Sequence, residues 1–196
     1  MKSQTSHFES RLPILEYILQ WIRFLHVRPY ITRGATIADL GCGYNAYLLR
    51  KLQPNIKSGV GIDVAVLPKT LGSKIRLQVG RADRPLSLPA LTFNVVTALA
   101  VIEHVEDPNM LLCEAFRILK PDGFLLLTVP APIAKPFLEL LAFRFGVLSA
   151  SRVAEHKRYF SRNDLAAHLV EAGFHRSNCR IKQVSFGLNL VAVCQK

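Results

Sequence analysis

The segment Ile37-Ala38-Asp39-Leu40-Gly41-Cys42-Gly43-Tyr44-Asn45 puts two glycines directly after a strand-like run, and the helical pattern of Ala46–Leu52 follows at once. No other stretch constrains the fold as much. A strand, a Gly-x-Gly turn and a helix in that order open a β-α-β unit, and glycines at the turn let backbone N–H groups approach a ligand closely. Twenty residues beyond Gly43, the β-branched run Val60–Val64 carries Asp63. A carboxylate at the end of the second strand is placed to accept from ribose hydroxyls. The pattern predicts a nucleoside-containing cofactor.

The remaining segments continue the alternation. Ile75–Val79 reads as a short strand and Phe93–Leu99 as one buried on both faces. Asp107 caps the next helix, with Pro108 in its first turn and Leu111, Leu112, Ala115, Phe116 and Leu119 on its buried face. Pro121-Asp122-Gly123 turns the chain into Phe124–Val129, and Pro130, Pro132 and Pro136 then oppose regular structure. Ser161 and Asp164 form a capping-box pattern for a helix that Gly173 stops. Arg180–Phe186 and Leu188–Val193, split by Gly187, predict a closing antiparallel pair. Leu12, Leu15, Leu19, Ile22 and Leu25 predict an amphipathic helix before Pro29. The expected fold is an α/β domain with a mostly parallel sheet.

At 196 residues, half of them hydrophobic, the chain suits one domain with a sizeable core and is too apolar for a disordered one. Its 25 Lys and Arg against 14 Asp and Glu leave +11, a basic surface that favours an acidic partner. Cys42, Cys113, Cys179 and Cys194 show no C-x-x-C and no framework spacing, so they read as separate reduced thiols. Glu9, Arg11, Glu16 and Arg23 interrupt any apolar leader, and Pro85, Pro89 and Asn94 break the uncharged stretch Pro85–Ile102 as a membrane span. The expected location is cytoplasmic.

Gly41, Gly43 and Ala46 also satisfy the G-x-G-x-x-G/A pattern of dinucleotide enzymes. Asp39 speaks against that rival, because a carboxylate at the mouth of the turn repels a pyrophosphate and suits an ammonium. Ala38-Asp39-Leu40-Gly41-Cys42-Gly43 resembles the first signature of class I S-adenosylmethionine-dependent methyltransferases. Three later segments are similar to that family's further signatures in order and spacing: Ala82–Pro89 with Phe93–Val96, Ile102–Pro108, and Arg117–Gly123. His156–Phe174 resembles the carboxyl part of its small-molecule members. The resemblance implies a Rossmann-like, mostly parallel seven-stranded sheet with helices on both faces and a C-terminal antiparallel hairpin.

It also implies S-adenosyl-L-methionine as cofactor, with Asp39, Gly41 and Gly43 at the methionine end, Asp63 at the ribose and Asp83 at the adenine amino group; Cys42, Val64, Ala82 and Ala100 belong to the same binding set. Asn45, Asn94 and Asp122 depart from the family pattern. Asn tolerates left-handed backbone, so the turn at Asn45 can survive.

Methyl transfer is mainly positioning, although a hydroxyl acceptor must also lose a proton. His104 and His156 are the general-base candidates by residue type. His104 suits packing beneath the cofactor better than catalysis, while His156 equally suits an exposed basic surface with Lys157 and Arg158. No third ligand accompanies Glu103-His104, so no metal is expected. The expected acceptor is a small, sugar-linked or lipid-linked molecule, methylated at oxygen. The sequence Ala98-Leu99-Ala100-Val101 lacks the Pro-Pro-aromatic signature of base-modifying relatives and disfavours nucleic acid, and no obligate protein partner is inferred. Loss of catalysis, leaving a cofactor-binding module, is the alternative that the departures motivate.

Within one domain, 1–33 forms a helical cap, 34–129 the cofactor-binding core, 130–160 a substrate lid and 161–196 the last helix and hairpin. Phe137, Leu141, Phe143 and Phe145 would exclude water from the reaction, while Arg152, Lys157 and Arg158 would attract an anionic acceptor or the anionic membrane presenting it.

Overall fold

The computed structural model describes residues 14–66, 69–139 and 158–196, with backbone alone at 14–16, 69 and 137–139. Helix α1 (Ile14–Val27) leads through a short 3-10 turn, Arg28–Tyr30, into strand β1 (Thr36–Leu40). Then follow α2 (Tyr47–Leu52), β2 (Ser58–Asp63), β3 (Lys69–Leu71), β4 (Ile75–Val79), β5 (Phe93–Leu99), α3 (Pro108–Ile118) and β6 (Leu119–Pro130). The chain continues with α4 (Ala134–Glu139), α5 (Arg162–Glu171), β7 (Cys179–Val184) and β8 (Asn189–Gln195).

The strands form one sheet in the order β3-β4-β2-β1-β5-β6-β8-β7. β4, β2, β1, β5 and β6 are mutually parallel, and β8 and β7 close one side as an antiparallel hairpin. The expected α/β architecture is present, with eight strands instead of seven. The additional one is β3, three residues antiparallel to β4 at the far edge. So short an edge strand has no apolar alternation to announce it.

Alternate residues of the central strands feed two cores. Ala38, Val96, Ala98, Leu125 and Leu127 pack under α3 and α5, whereas Ile37, Val95 and Leu126 pack under α1 and α2. Gly59 and Gly61 in β2 bring α2 close: a Cβ on Gly61 would stand 2.8 Å from Cys42 Sγ and 2.9 Å from Leu49 Cδ1. A side chain there would lift α2 and the turn before it away from the sheet.

Local signals place several boundaries. Asp107 accepts from the Met110 amide at 2.9 Å, and Ser161 and Asp164 form the reciprocal capping box. Pro136 falls in the first turn of α4, where its missing N–H has no intrahelical acceptor to satisfy, so helix begins earlier in that segment than its prolines suggest. Pro121-Asp122-Gly123 lies within β6 as a bulge, with the pairing moving from Phe93–Leu119 to Val95–Phe124 and Asp122 taking the left-handed conformation. Leu25, expected on the buried face of α1, points outward.

The cysteines need one correction. Cys179 and Cys194 are joined in a disulfide, because the β7–β8 register sets them directly opposite with Cα atoms 4.1 Å apart. Their sequence separation of 15 conceals this pairing until the hairpin forms. Cys42 is free and buried, and Cys113 is free and exposed. Denatured without reductant, the protein should expose two reactive thiols, and four after reduction. Four before reduction would show that the strands pair without the bond.

Candidate functional site

The sheet reverses its winding between β1 and β5, and the crevice beyond the carboxyl ends of these strands is where such sheets bind ligands. Asp39 and Thr97 stand opposite one another there. Thr97 Oγ1 donates to Asp39 Oδ1 at 2.6 Å. Burial is the main force pushing the Asp39 carboxyl up to about 7, against the Thr97 hydrogen bond, and the negative charge of Asp63 adds to it.

After β1 the chain curls over the end of β2. The amides of Gly41 and Cys42 both donate to the Ile62 carbonyl, at 2.7 and 3.1 Å. The Gly43 amide donates to Asp63 Oδ2 at 2.9 Å, and the Ala65 amide to Oδ1 at 2.8 Å. Asp63 therefore ties the glycine turn to the strand that carries it, and each oxygen keeps acceptor capacity for a further donor.

Gly41 and Gly43 have φ values of +75° and +70°. A Cβ on Gly41 would lie 2.3 Å from Val101 Cγ2, so the loop after β5 presses directly on the turn. A Cβ on Gly43 would meet only Asn45 Oδ1, at 3.9 Å, so its surface is open. The left-handed residue that leads into α2 is Ala46, not Asn45. Asn45 instead uses its carbonyl to accept from Arg50 Nε.

The other expected contacts fall around this turn. Val64 follows Asp63 as an exposed apolar surface, Ala82 is buried, and Ala100 is left-handed, its amide held by Thr128 through both carbonyl and hydroxyl. Cys42 is buried, which pushes its thiol well up and makes it packing and not a nucleophile. Asn94 lies at the opposite ends of the strands, accepting from the Thr36 amide and hydroxyl, so that departure is remote from the crevice.

Asp83 has a different setting from the one its position suggests. Arg81 donates to both of its oxygens, at 3.0 and 2.9 Å, and Oδ2 also accepts from the amides of Glu106 and Asp107. These bonds, led by Arg81, hold its carboxyl well below the usual range. The pair anchors the loop that starts α3. Three of the four donors fall on Oδ2, so Oδ1, bonded only to Arg81 Nε, keeps acceptor capacity for an adenine amino group.

His104 is half-buried in the turn after β5, and its amide donates to the Val101 carbonyl. His156, with Leu141, Phe143, Phe145, Arg152 and Lys157, lies outside the described residues. Arg158 Nη2 donates to the Glu106 carbonyl at 3.3 Å. Among the described residues, no group of three or more His, Cys, Asp or Glu side chains could hold a metal ion.

Glu103, which in the sequence stands beside His104 as a candidate ligand pair, is the more unusual residue. It is 1% exposed, and among the described residues no other residue donates a hydrogen bond to its carboxylate oxygens. Burial pushes it up to about 7, with Arg23 of α1 pulling the other way. The Gln20 Oε1, one turn before Arg23, is also buried without a donor. The sequence offers one signal for Glu103, its place between Ile102 and His104 just after the apolar Phe93–Leu99 strand, and none for Thr97.

A family profile described as a methyltransferase domain matches residues 11–176. The ubiquinone biosynthesis O-methyltransferase of Pseudomonas fluorescens (strain SBW25) is 31% identical over 98 residues, 46% of this chain and 42% of that protein. The tRNA U34 carboxymethyltransferase of Campylobacter lari is 28% identical over 118 residues, 55% of this chain and 40% of that protein. This chain spans about half the length of the curated relatives it matches. An S-adenosylmethionine-dependent methyltransferase structure from Mesorhizobium loti superposes with a TM-score of 0.69 at 15% identity, covering 93% of this chain and all of that one, and so shares the fold.

Proposed function

This chain belongs to the methyltransferase-domain family, whose cofactor is S-adenosyl-L-methionine, and from that premise we propose that it methylates a small-molecule, sugar-linked or lipid-linked acceptor at oxygen. One observation carries the cofactor half of the reading. Asp39 near the end of β1 and Asp63 at the end of the adjacent parallel β2 flank the Gly41–Gly43 turn, and Asp63 accepts from its Gly43 amide at 2.9 Å. Two neighbouring carboxylates repel a pyrophosphate and attract a cation, which fits a cofactor bearing a sulfonium and an ammonium and opposes NAD(P).

In this reading Asp39 faces the methionine ammonium, directly or through water, Asp63 accepts from the ribose hydroxyls, and Gly43 leaves room for the backbone to approach. Val64 and Ala82 offer apolar surface to the base. The bound cofactor supplies a methyl group on a positively charged sulfur, whose departure as a neutral thioether needs no help from the protein. Orientation is then the protein's main task. Glu103, buried behind the turn after β5, is held by that burial with a raised pKa, and its role is to shape the wall of the fold and not to reach the acceptor. His104 and His156 are the candidates to accept the proton of an acceptor hydroxyl, and 130–160 is proposed as the lid over the acceptor.

Calorimetric titration should show S-adenosylmethionine and S-adenosylhomocysteine binding, with NAD(P) silent; the reverse result would install a dehydrogenase. Asp63→Ala should weaken S-adenosylhomocysteine binding by about 1.5–3 kcal/mol, the usual worth of a hydrogen bond to a charged group. Labelled methyl transfer into cell extract, separated into small-molecule, lipid and RNA fractions, identifies the acceptor class. Cofactor binding with no label in any fraction would leave a silent binding module.

A further inference from the structure

Helix α1 turns two kinds of surface outward and inward. Val27 is fully buried and Phe24 packs on the core beneath α2. On the opposite side Tyr17, Ile18, Trp21 and Leu25 form a stripe at helical spacing, Trp21 being 52% exposed. A surface helix ordinarily carries polar residues there.

The turn between β7 and β8 repeats this anomaly. Ser185 and Phe186 are both left-handed, and the Gly187 amide donates to the Val184 carbonyl at 3.1 Å. Such a turn favours Asn-Gly, yet Phe186 occupies it with its ring wholly in solvent. Neither the backbone nor the ring helps the folded chain.

The two features adjoin. Val184 and Ser185 line one small cavity together with Leu19, Ile22, Arg23 and His26 of α1. A second cavity, between His26, Tyr30, Arg180 and Lys182, continues beside it, and none of the described residues lining either is acidic. Arg28, just past the end of α1, is exposed, as are Arg180 and Lys182 beside the second cavity, on a chain of net charge +11.

We propose that this surface docks on an anionic lipid bilayer, with Ile18, Trp21, Leu25 and Phe186 at the headgroup boundary and Arg28, Arg180 and Lys182 on the phosphates. Charge selects this occupant. A second copy of the chain would set one basic rim against another, and a nucleic acid would engage the rim but leave the Trp21 stripe in water. Tryptophan is also the side chain most at home where an apolar layer meets a wet one.

The docking surface stands independently of the proposed reaction, but one consequence rests on it. Asn189 pairs with Pro130 at the end of β6, so the Phe186 turn lies at the same carboxyl edge of the sheet as Gly41–Gly43. Docking there would bring the crevice to the bilayer, where a lipid-borne acceptor resides.

Trp21 is the only tryptophan of the chain, so its fluorescence reports the contact directly. The full chain should cosediment with equimolar phosphatidylglycerol–phosphatidylcholine vesicles, with blue-shifted emission that salt reverses, and bind pure phosphatidylcholine weakly. Ile18→Ser with Leu25→Ser, and separately Phe186→Gly, should each weaken vesicle binding about tenfold or more while S-adenosylhomocysteine affinity stays within about twofold. Phe186→Gly relaxes the turn, so it tests the contact without endangering the fold. Unshifted emission with anionic vesicles, or unchanged binding by the folded variants, overturns the proposal. So does a concentration-dependent dimer that buries Trp21 without lipid. Vesicle binding without methyl transfer would count only against the reaction.

Discussion

Gly41→Ala is expected to destabilise the protein by about 2–5 kcal/mol and to abolish measurable cofactor binding. Two costs combine. A left-handed backbone costs a residue with a Cβ about 1–2 kcal/mol, and forcing extra volume into a packed contact costs about 1–3 kcal/mol more. The second arises because the new Cβ would lie 2.3 and 2.9 Å from the two Val101 methyls, driving the loop after β5 off the glycine turn. Two other glycines separate the terms. Gly34 has φ +79° and nothing within 4 Å of a Cβ, so Gly34→Ala should show the backbone cost alone. Gly43→Ala should match it in stability but lose cofactor affinity, because its open face borders the crevice. Urea unfolding and calorimetry on the three variants test this. Equal destabilisation by Gly41→Ala and Gly34→Ala would refute the Val101 contact.

The apoprotein should lose stability as pH rises from about 4 to 7, and Asp39→Asn with Glu103→Gln should remove most of that loss. Both carboxyls are pushed up to about 7 in the folded chain. Folded protein therefore holds protons that the unfolded chain releases near pH 4, so this stabilisation is complete below that pH and gone above 7. The shifts correspond to about 3–4 kcal/mol for each group. Asp83 and Glu114, held low by Arg81 and Arg117, act with the opposite sign and lose their contribution on acidification below about pH 4. A stability maximum near pH 4–5 follows. Asn at 39 still accepts from Thr97, so the double variant keeps the bond and loses only the charge. Urea midpoints at pH 5 and 8 are the measurement, and a wild-type protein no weaker at pH 8 would contradict the burial of these groups.

The two buried acids bear differently on the proposed reaction, Asp39 at the crevice and Glu103 behind it. Each is costly in the empty protein, and a cationic cofactor beside Asp39 would favour its ionised form. Cofactor affinity should then increase with pH as Asp39 ionises.

What was legible in the sequence was local. Ile75–Val79 and Phe93–Leu99 are strands with the bounds their apolar runs suggest, and Asp107, Ser161 and Asp164 cap the helices they precede. Periodicity, capping and glycine act within a few residues, so they can be read before anything folds. The placement of Asp39 at the end of one strand, Gly41 and Gly43 in the turn after it and Asp63 at the end of the next strand was legible for the same reason, since each is set by a short local segment. Tertiary structure decided whatever depends on a neighbour distant in the chain. Strand register joined Cys179 to Cys194, and the return of the loop after β5 gave Asp83 two amides to hold. Packing of α1 against the sheet turned Leu25 outward, and burial without a donor made Glu103 more unusual than the histidine beside it. Residue type states what a carboxyl can do; the partners and water around it decide whether it stays charged, and those are set only when separate segments meet.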